Sequence, residues 1–126
     1  MTEKILHKQV CQYIRMQYPN VLFNSDMAGS MKLTIGQAVQ IKSLRSNRGF
    51  PDIAIYEPNE ICHGLFIELK NEGTKLYKRD NMTPATPHIL EQMEMQTQLQ
   101  QRGYRCSFAI GFDEAKKIID QYLLHT

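Results

Sequence analysis

Long apolar runs are missing from this chain. The longest are only a few residues, whereas a membrane-crossing helix needs about 20. The opening "MTEKILHKQV" also has no apolar stretch of the kind a secretory leader carries, so the expectation is a cytoplasmic protein with no membrane partner. Cysteine is scarce. Cys11, Cys62 and Cys106 are an odd number with no CxxC spacing, which argues against a disulfide framework and a structural zinc site and leaves reduced thiols. Net charge is small, +2 from 15 basic and 13 acidic residues, too mild to identify a nucleic-acid partner. One local absence says more. Between Met27 and Pro51 there is no acid, while Lys32, Lys42, Arg45 and Arg48 all fall there. No repeat, low-complexity tract, helix-turn-helix or tandem binding module is visible, so any specificity has to come from the fold itself and from assembly.

What is present fits one domain, residues 1–126, with 42% apolar and 22% charged residues in ordinary globular proportion. "EKILHKQVCQYIRMQY" carries Ile5, Leu6, Val10, Tyr13 and Ile14 at helical spacing, and Pro19 stops it. "VLFNS" reads as a short strand, followed by a Gly-containing turn around "DMAGS" and a helix over about 34–44. "DIAIY" and "GLFIELK" are strands joined by the turn-rich "EPNEICH". Residues 71–87 form a long polar segment, expected to be functional or mobile. Thr86-Pro87 has the form of an N-cap with proline at the first helical position, opening a helix that ends near Gly103. "CSFAIG" is the last strand, and "DEAKKIIDQYLL" the last helix, with Asp113 expected at its N-cap. The order points to an α/β fold, a mixed central sheet of about four strands flanked by helices.

Two of these strands carry charge, which a buried position tolerates only when the charge is paired or metal-bound. Side chains alternate along a strand, so Leu65, Ile67 and Leu69 share one face, and Phe66, Glu68 and Lys70 the other. If "DIAIY" pairs with this strand, Asp52 comes near Glu68, giving two carboxylates and an amine at one end of the sheet. A lone E-x-K is more often a solvated edge pair. Two adjacent carboxylates, however, cannot both stay ionised without a cation, and oxygen ligands favour Mg²⁺. Such an ion suits phosphodiester hydrolysis, with Lys70 placed to orient or help deprotonate the nucleophile, or to stabilise the phosphorus centre.

"FPD" at 50–52 followed by "IELK" at 67–70 resembles the PD-(D/E)XK nuclease motif. Together with "GFPDIAIY", "GLFIELKNEGTKL", "LEQMEMQTQLQQRGY" and "GFDEAKKIIDQYL" in this order, the chain resembles the small standalone VRR-NUC proteins of phages and bacteria, from Glu3 to Leu123. The resemblance implies a restriction-endonuclease-like core and a VRR-NUC domain in a bacterial or phage-infected cell. It implies Asp52, Glu68 and the Leu69 carbonyl as metal ligands together with Glu3, the acid carried on the first helix, Lys70 as the catalytic lysine and Gln92 as a catalytic-site glutamine. Glu3 also lies about 20° from Val10 around the first helix, and so shares a face with the core stripe; from the residues alone it could equally serve the helix dipole. Gln92 lies on a stripe with Ile89, Met93, Gln96 and Leu99 and needs a polar partner, a water or a backbone carbonyl.

Lys32, Lys42, Arg45 and Arg48, with Lys75, Lys78 and Arg79 after the second charged strand, offer phosphate contacts that would bind nucleic acid without reading its sequence. The expected activity is that of a Mg²⁺-dependent endonuclease, with Mn²⁺ able to substitute, producing 5′-phosphate ends. The resemblance further implies a homodimer acting on branched DNA such as four-way junctions. Three alternatives stay open: a catalytically silent DNA-binding module, a non-selective DNA nuclease, and a Cys/His metal site built on Cys62 and His63 with His88 or Cys106. Where an Asn-Gly is expected at the end of the first strand the chain has "NSDMAG", which leaves Asn24 or Asp26 free to take a polar role.

Overall fold

The computed structural model describes residues 2–26, 33–44 and 48–124. The order of elements is the one expected: α1 (Glu3–Gln17), β1 (Phe23–Ser25), α2 (Ile35–Leu44), β2 (Ile53–Ile55), β3 (Leu65–Lys70), α3 (Pro87–Gln101), β4 (Arg105–Ile110) and α4 (Phe112–Leu123). The strands form one sheet in the order β1-β2-β3-β4. The first two pairings are antiparallel and β3–β4 is parallel, with α3 as the crossover that a parallel pair requires. Among the described residues no helix is long and apolar enough to cross a membrane.

The alternation along β3 divides the sheet. Leu65, Ile67 and Leu69 join Ile53, Ile55 and Ala109 in a core closed by Leu6, Val10 and Ile14 of α1 and by Ala115, Ile119 and Tyr122 of α4. The other face receives α3 through Ile89, Gln92, Met95, Gln96 and Leu99. Thr86 caps α3 as expected, its Oγ1 accepting from the Ile89 amide at 3.1 Å. The ends of α1 and α4 are joined by Asp120, whose Oδ1 accepts from the hydroxyls of Tyr13 and Tyr18, each at 2.6 Å.

Several local expectations are corrected. On α1 the buried stripe is Leu6, His7, Val10, Cys11 and Ile14, while Ile5 is exposed. On α3 Met95 is buried and Met93 only half-buried. The N-cap of α4 is Gly111, not Asp113. The Gly111 amide donates to the Lys70 carbonyl at 2.8 Å, and its φ of +86° turns the chain straight from β4 into the helix. Asp113 and Glu114 fall in the first turn, where they favour the positive end of the helix dipole. The segment at 71–86 is an internally bonded excursion. Lys78 N–H donates to Thr83 O at 2.8 Å and Ala85 N–H to Leu76 O at 2.9 Å, and Tyr77 and Pro84 form a bridge.

Candidate active site

The site lies at the end of the sheet where β2 begins and β3 ends. Gly49 sets the approach. Its φ is +84°, and an added Cβ would lie 2.8 Å from the Glu91 carbonyl oxygen, so the chain before β2 runs directly against the backbone of α3. Three residues later Asp52 is fixed by its Oδ2, which accepts from the Leu69 amide at 2.8 Å. Its other oxygen is 3.6 Å from Nε2 of the buried His7 on α1. Even-numbered carbonyls of β3 face β4: Gly64 O accepts from Arg105 N–H and Lys70 O from Gly111 N–H. The odd-numbered ones therefore face β2, which puts the Leu69 carbonyl on the Asp52 side of the strand.

Glu3, Asp52, Glu68, Lys70 and Gln92 line one pocket of about 90 Å³, together with Asp26, Gly49, Phe50 and His88. The five side chains named from the sequence thus come from three elements and the β2 lead-in to one place. Glu68 and Lys70 are 4% and 8% exposed, so the pair is no solvated edge. Burial pushes the Glu68 carboxyl up to about 10, aided by its hydrogen bond to Asp52, the charge of Asp52 and, more weakly, Glu3, against the opposing charge of Lys70. Among the described residues Glu68 Oε1 has no hydrogen-bond partner, and neither does Gln92 Oε1. The Gln92 amide nitrogen is 3.2 Å from His88 Nε2. The pocket is thus short of positive charge and of donors, a deficit that a hydrated divalent cation fits. Among the described residues no group of three or more His, Cys, Asp or Glu side chains is arranged to hold an ion by itself. Glu3, expected as a ligand, lines the same pocket. The Cys/His alternative is not assembled either: His88 faces Gln92, and the His63 ring packs edge-on against Tyr104.

Of the basic residues, Lys42 lies exposed in the last turn of α2. Arg48 is exposed and 3.7 Å from Glu91 beside the pocket. Lys75, Lys78 and Arg79 are exposed on the excursion after β3. Lys32 and Arg45, and the turn expected over "DMAGS" beyond Asp26, lie outside the described residues. His7 was not marked as a site residue by the sequence, and His88 only within the Cys/His alternative. For His7 a signal existed, since it stands four residues after Glu3, one turn along the same helix face.

No protein-family model matches the chain, and no curated protein matches it. Solved structures do. One named "VRR_NUC domain protein" superposes over 100% of this chain and 91% of that one, with a TM-score of 0.72 and 24% identity. Another, named "VRR_NUC domain", covers 92% of this chain and 96% of that one at a TM-score of 0.50 and 22% identity. The chain therefore has the fold of these VRR_NUC domain structures, an α/β architecture in which helices flank a four-stranded mixed sheet.

Proposed function

We propose that this protein is a VRR-NUC nuclease that hydrolyses DNA phosphodiester bonds with the help of Mg²⁺. The observation that carries the reading is the buried Glu68 beside the half-buried Asp52, with Lys70 and Gln92 in the same pocket. The likeness of fold to the VRR_NUC structures supports it. Asp52, Glu68 and the Leu69 carbonyl would hold the ion, with water and substrate oxygens completing the shell, as Mg²⁺ prefers. When bound, the ion supplies Lewis acidity and a water of lowered pKa. The remaining roles belong to the chain. Lys70 places a positive charge beside the reacting phosphate, where it offsets charge built up in the transition state. Gln92 Oε1, without a partner among the described residues, accepts a hydrogen bond from the attacking water and orients it. The Leu69 amide holds Asp52 in position, and His7 backs it from the core side.

The substrate in this reading is branched DNA such as a four-way junction, and the active form is a homodimer that brings one site to each of two strands. Self-association is supported by α2, which buries no residue and exposes Ile35, Val39 and Leu44. Lys42, Arg48, Lys75 and Lys78 contact phosphates and give salt-sensitive binding.

The test is cleavage of labelled four-way junction, flap, linear duplex and single strand with Mg²⁺ or Mn²⁺, by wild type, Asp52→Ala and Lys70→Ala. Cutting of the junction by wild type alone is the expected result. Equal inertness of all three proteins would overturn the catalytic reading in favour of a silent DNA-binding module. Cutting of every substrate would keep the nuclease and remove the selectivity. Light scattering checks the dimer, and a monomeric mass at working concentration counts against it.

A further inference from the structure

A second hollow, of about 280 Å³, adjoins the acid pocket and shares Asp26, Phe50 and Asp52 with it. Its floor follows from strand register. Asn24 pairs with Ala54 and Ala54 with Phe66, so these three stand in a row across the sheet, on the face that also carries Glu68. Ala54, the smallest of the three, leaves a gap between its neighbours. The walls are aromatic. Tyr104 stacks on Phe66 with centroids 4.8 Å apart and planes at 16°. Tyr56 meets Phe66 edge-on at 6.4 Å and donates its hydroxyl to Asn24 Oδ1 at 3.0 Å. The rings are thus held by one another before any ligand arrives, which lowers the ordering cost of binding. Tyr56 and Phe50 are nonetheless 49% and 40% exposed.

We infer that this hollow is a stacking subsite for one unpaired nucleobase of the strand whose phosphodiester enters the acid pocket. The inference rests on the nuclease reading above and adds to it a reason for structural selectivity. Among the described residues the lining holds aromatic rings, an amide and carboxylates and no basic side chain, so it suits a base and not a phosphate. Every base has a π-face, and stacking on an aromatic platform is therefore tolerant of sequence. In a continuous duplex those faces are occupied by neighbouring base pairs; they are offered at branch points, flaps and single strands. Because the two hollows share three residues, a strand that sets a phosphate against Asp52 has an adjoining nucleoside at Tyr56 and Phe50. If the cluster serves only to cover the sheet beyond the reach of α3, the hollow binds nothing.

Two measurements on the full chain separate these outcomes, with Ca²⁺ replacing Mg²⁺ to hold the DNA uncut. Single-stranded oligo-dT carrying 2-aminopurine at one position reports stacking by loss of its fluorescence. The same oligonucleotide with one abasic site, moved along the strand, reports the energetic register on wild-type protein. Quenching on binding is expected, with affinity about tenfold weaker when the abasic site falls at one position. Tyr56→Ala and Phe50→Ala should give a similar loss, while Tyr56→Phe keeps the ring and the quenching. No quenching and no position-dependent abasic penalty would overturn the subsite, even if cleavage depends on Asp52. Quenching in Ca²⁺ together with no cleavage in Mg²⁺ or Mn²⁺ by any of the proteins would instead overturn the nuclease reading and leave the subsite standing.

Discussion

The two faces of β3 are made from alternate residues of one six-residue strand, and they do opposite things. Leu65, Ile67 and Leu69 are 0–1% exposed and need nothing beyond apolar contact with α1 and α4. Phe66, Glu68 and Lys70 meet α3, a groove and a pocket in which polar atoms are left without partners. The first face gains stability from burial, at about 25 cal/mol per Å² of apolar surface. The second spends some of it, because a buried carboxyl facing another carboxylate is tolerated only through protonation or a cation. The strand period lets both coexist at adjacent positions, so a substitution one residue along β3 should change which property suffers.

The largest effect should come from the polar face. Lys70→Ala is expected to lower the cleavage rate by about 10²–10³ while the unfolding midpoint in urea moves little. A matching loss of stability would mean that Lys70 serves the fold. Three residues back, on the apolar face, Ile67→Ala should cost about 2–5 kcal/mol in urea unfolding, with cleavage by the remaining folded protein kept. Gly49→Ala comes next, at about 1–3 kcal/mol, because both its φ and the nearby Glu91 carbonyl oppose a side chain. It should also reduce cleavage by displacing Asp52, and unchanged cleavage would show that this approach does not set the site.

The smallest effect has an unusual sign. With Glu68 raised from 4.5 to about 10, the folded metal-free protein binds a proton that the unfolded chain releases above its own pKa. Stability from this group is complete below the unfolded value and declines as pH rises toward the folded one. Glu68→Gln removes that decline and should stabilise the metal-free protein by about 1–2 kcal/mol near pH 8. Thermal unfolding from about pH 5 to about pH 9 reads it. A parallel decline in both proteins would assign the pH dependence to another group.

Much of this was legible in sequence because it is local. The element order, the alternation of β3 and the Thr86-Pro87 start of α3 follow from patterns a few residues long. So did the meeting of Asp52 with Glu68, since a single hairpin joins their strands. What escaped depends on contacts distant in sequence. His7 is buried among the apolar residues of α1, and its Nε2 faces Asp52 just before β2, a neighbour 45 residues away in the chain. Gly111 caps α4 because its amide binds Lys70 O on β3, a constraint that Asp113, with good capping chemistry, gives no hint of. The aromatic hollow draws on β1, β2, β3 and the turn before β4, and the small size of Ala54 matters only once its cross-strand neighbours are known.

The central claim is that the polar face of β3 awaits a divalent cation, and proton-linked Mg²⁺ binding tests it most directly. Calorimetric titration in buffers of different ionisation enthalpy should show about one proton released per ion near neutral pH, with affinity rising up to about tenfold per pH unit. Both features should vanish in Glu68→Gln. Binding without proton release, or binding that survives unchanged in Glu68→Gln and Asp52→Ala, would contradict the account.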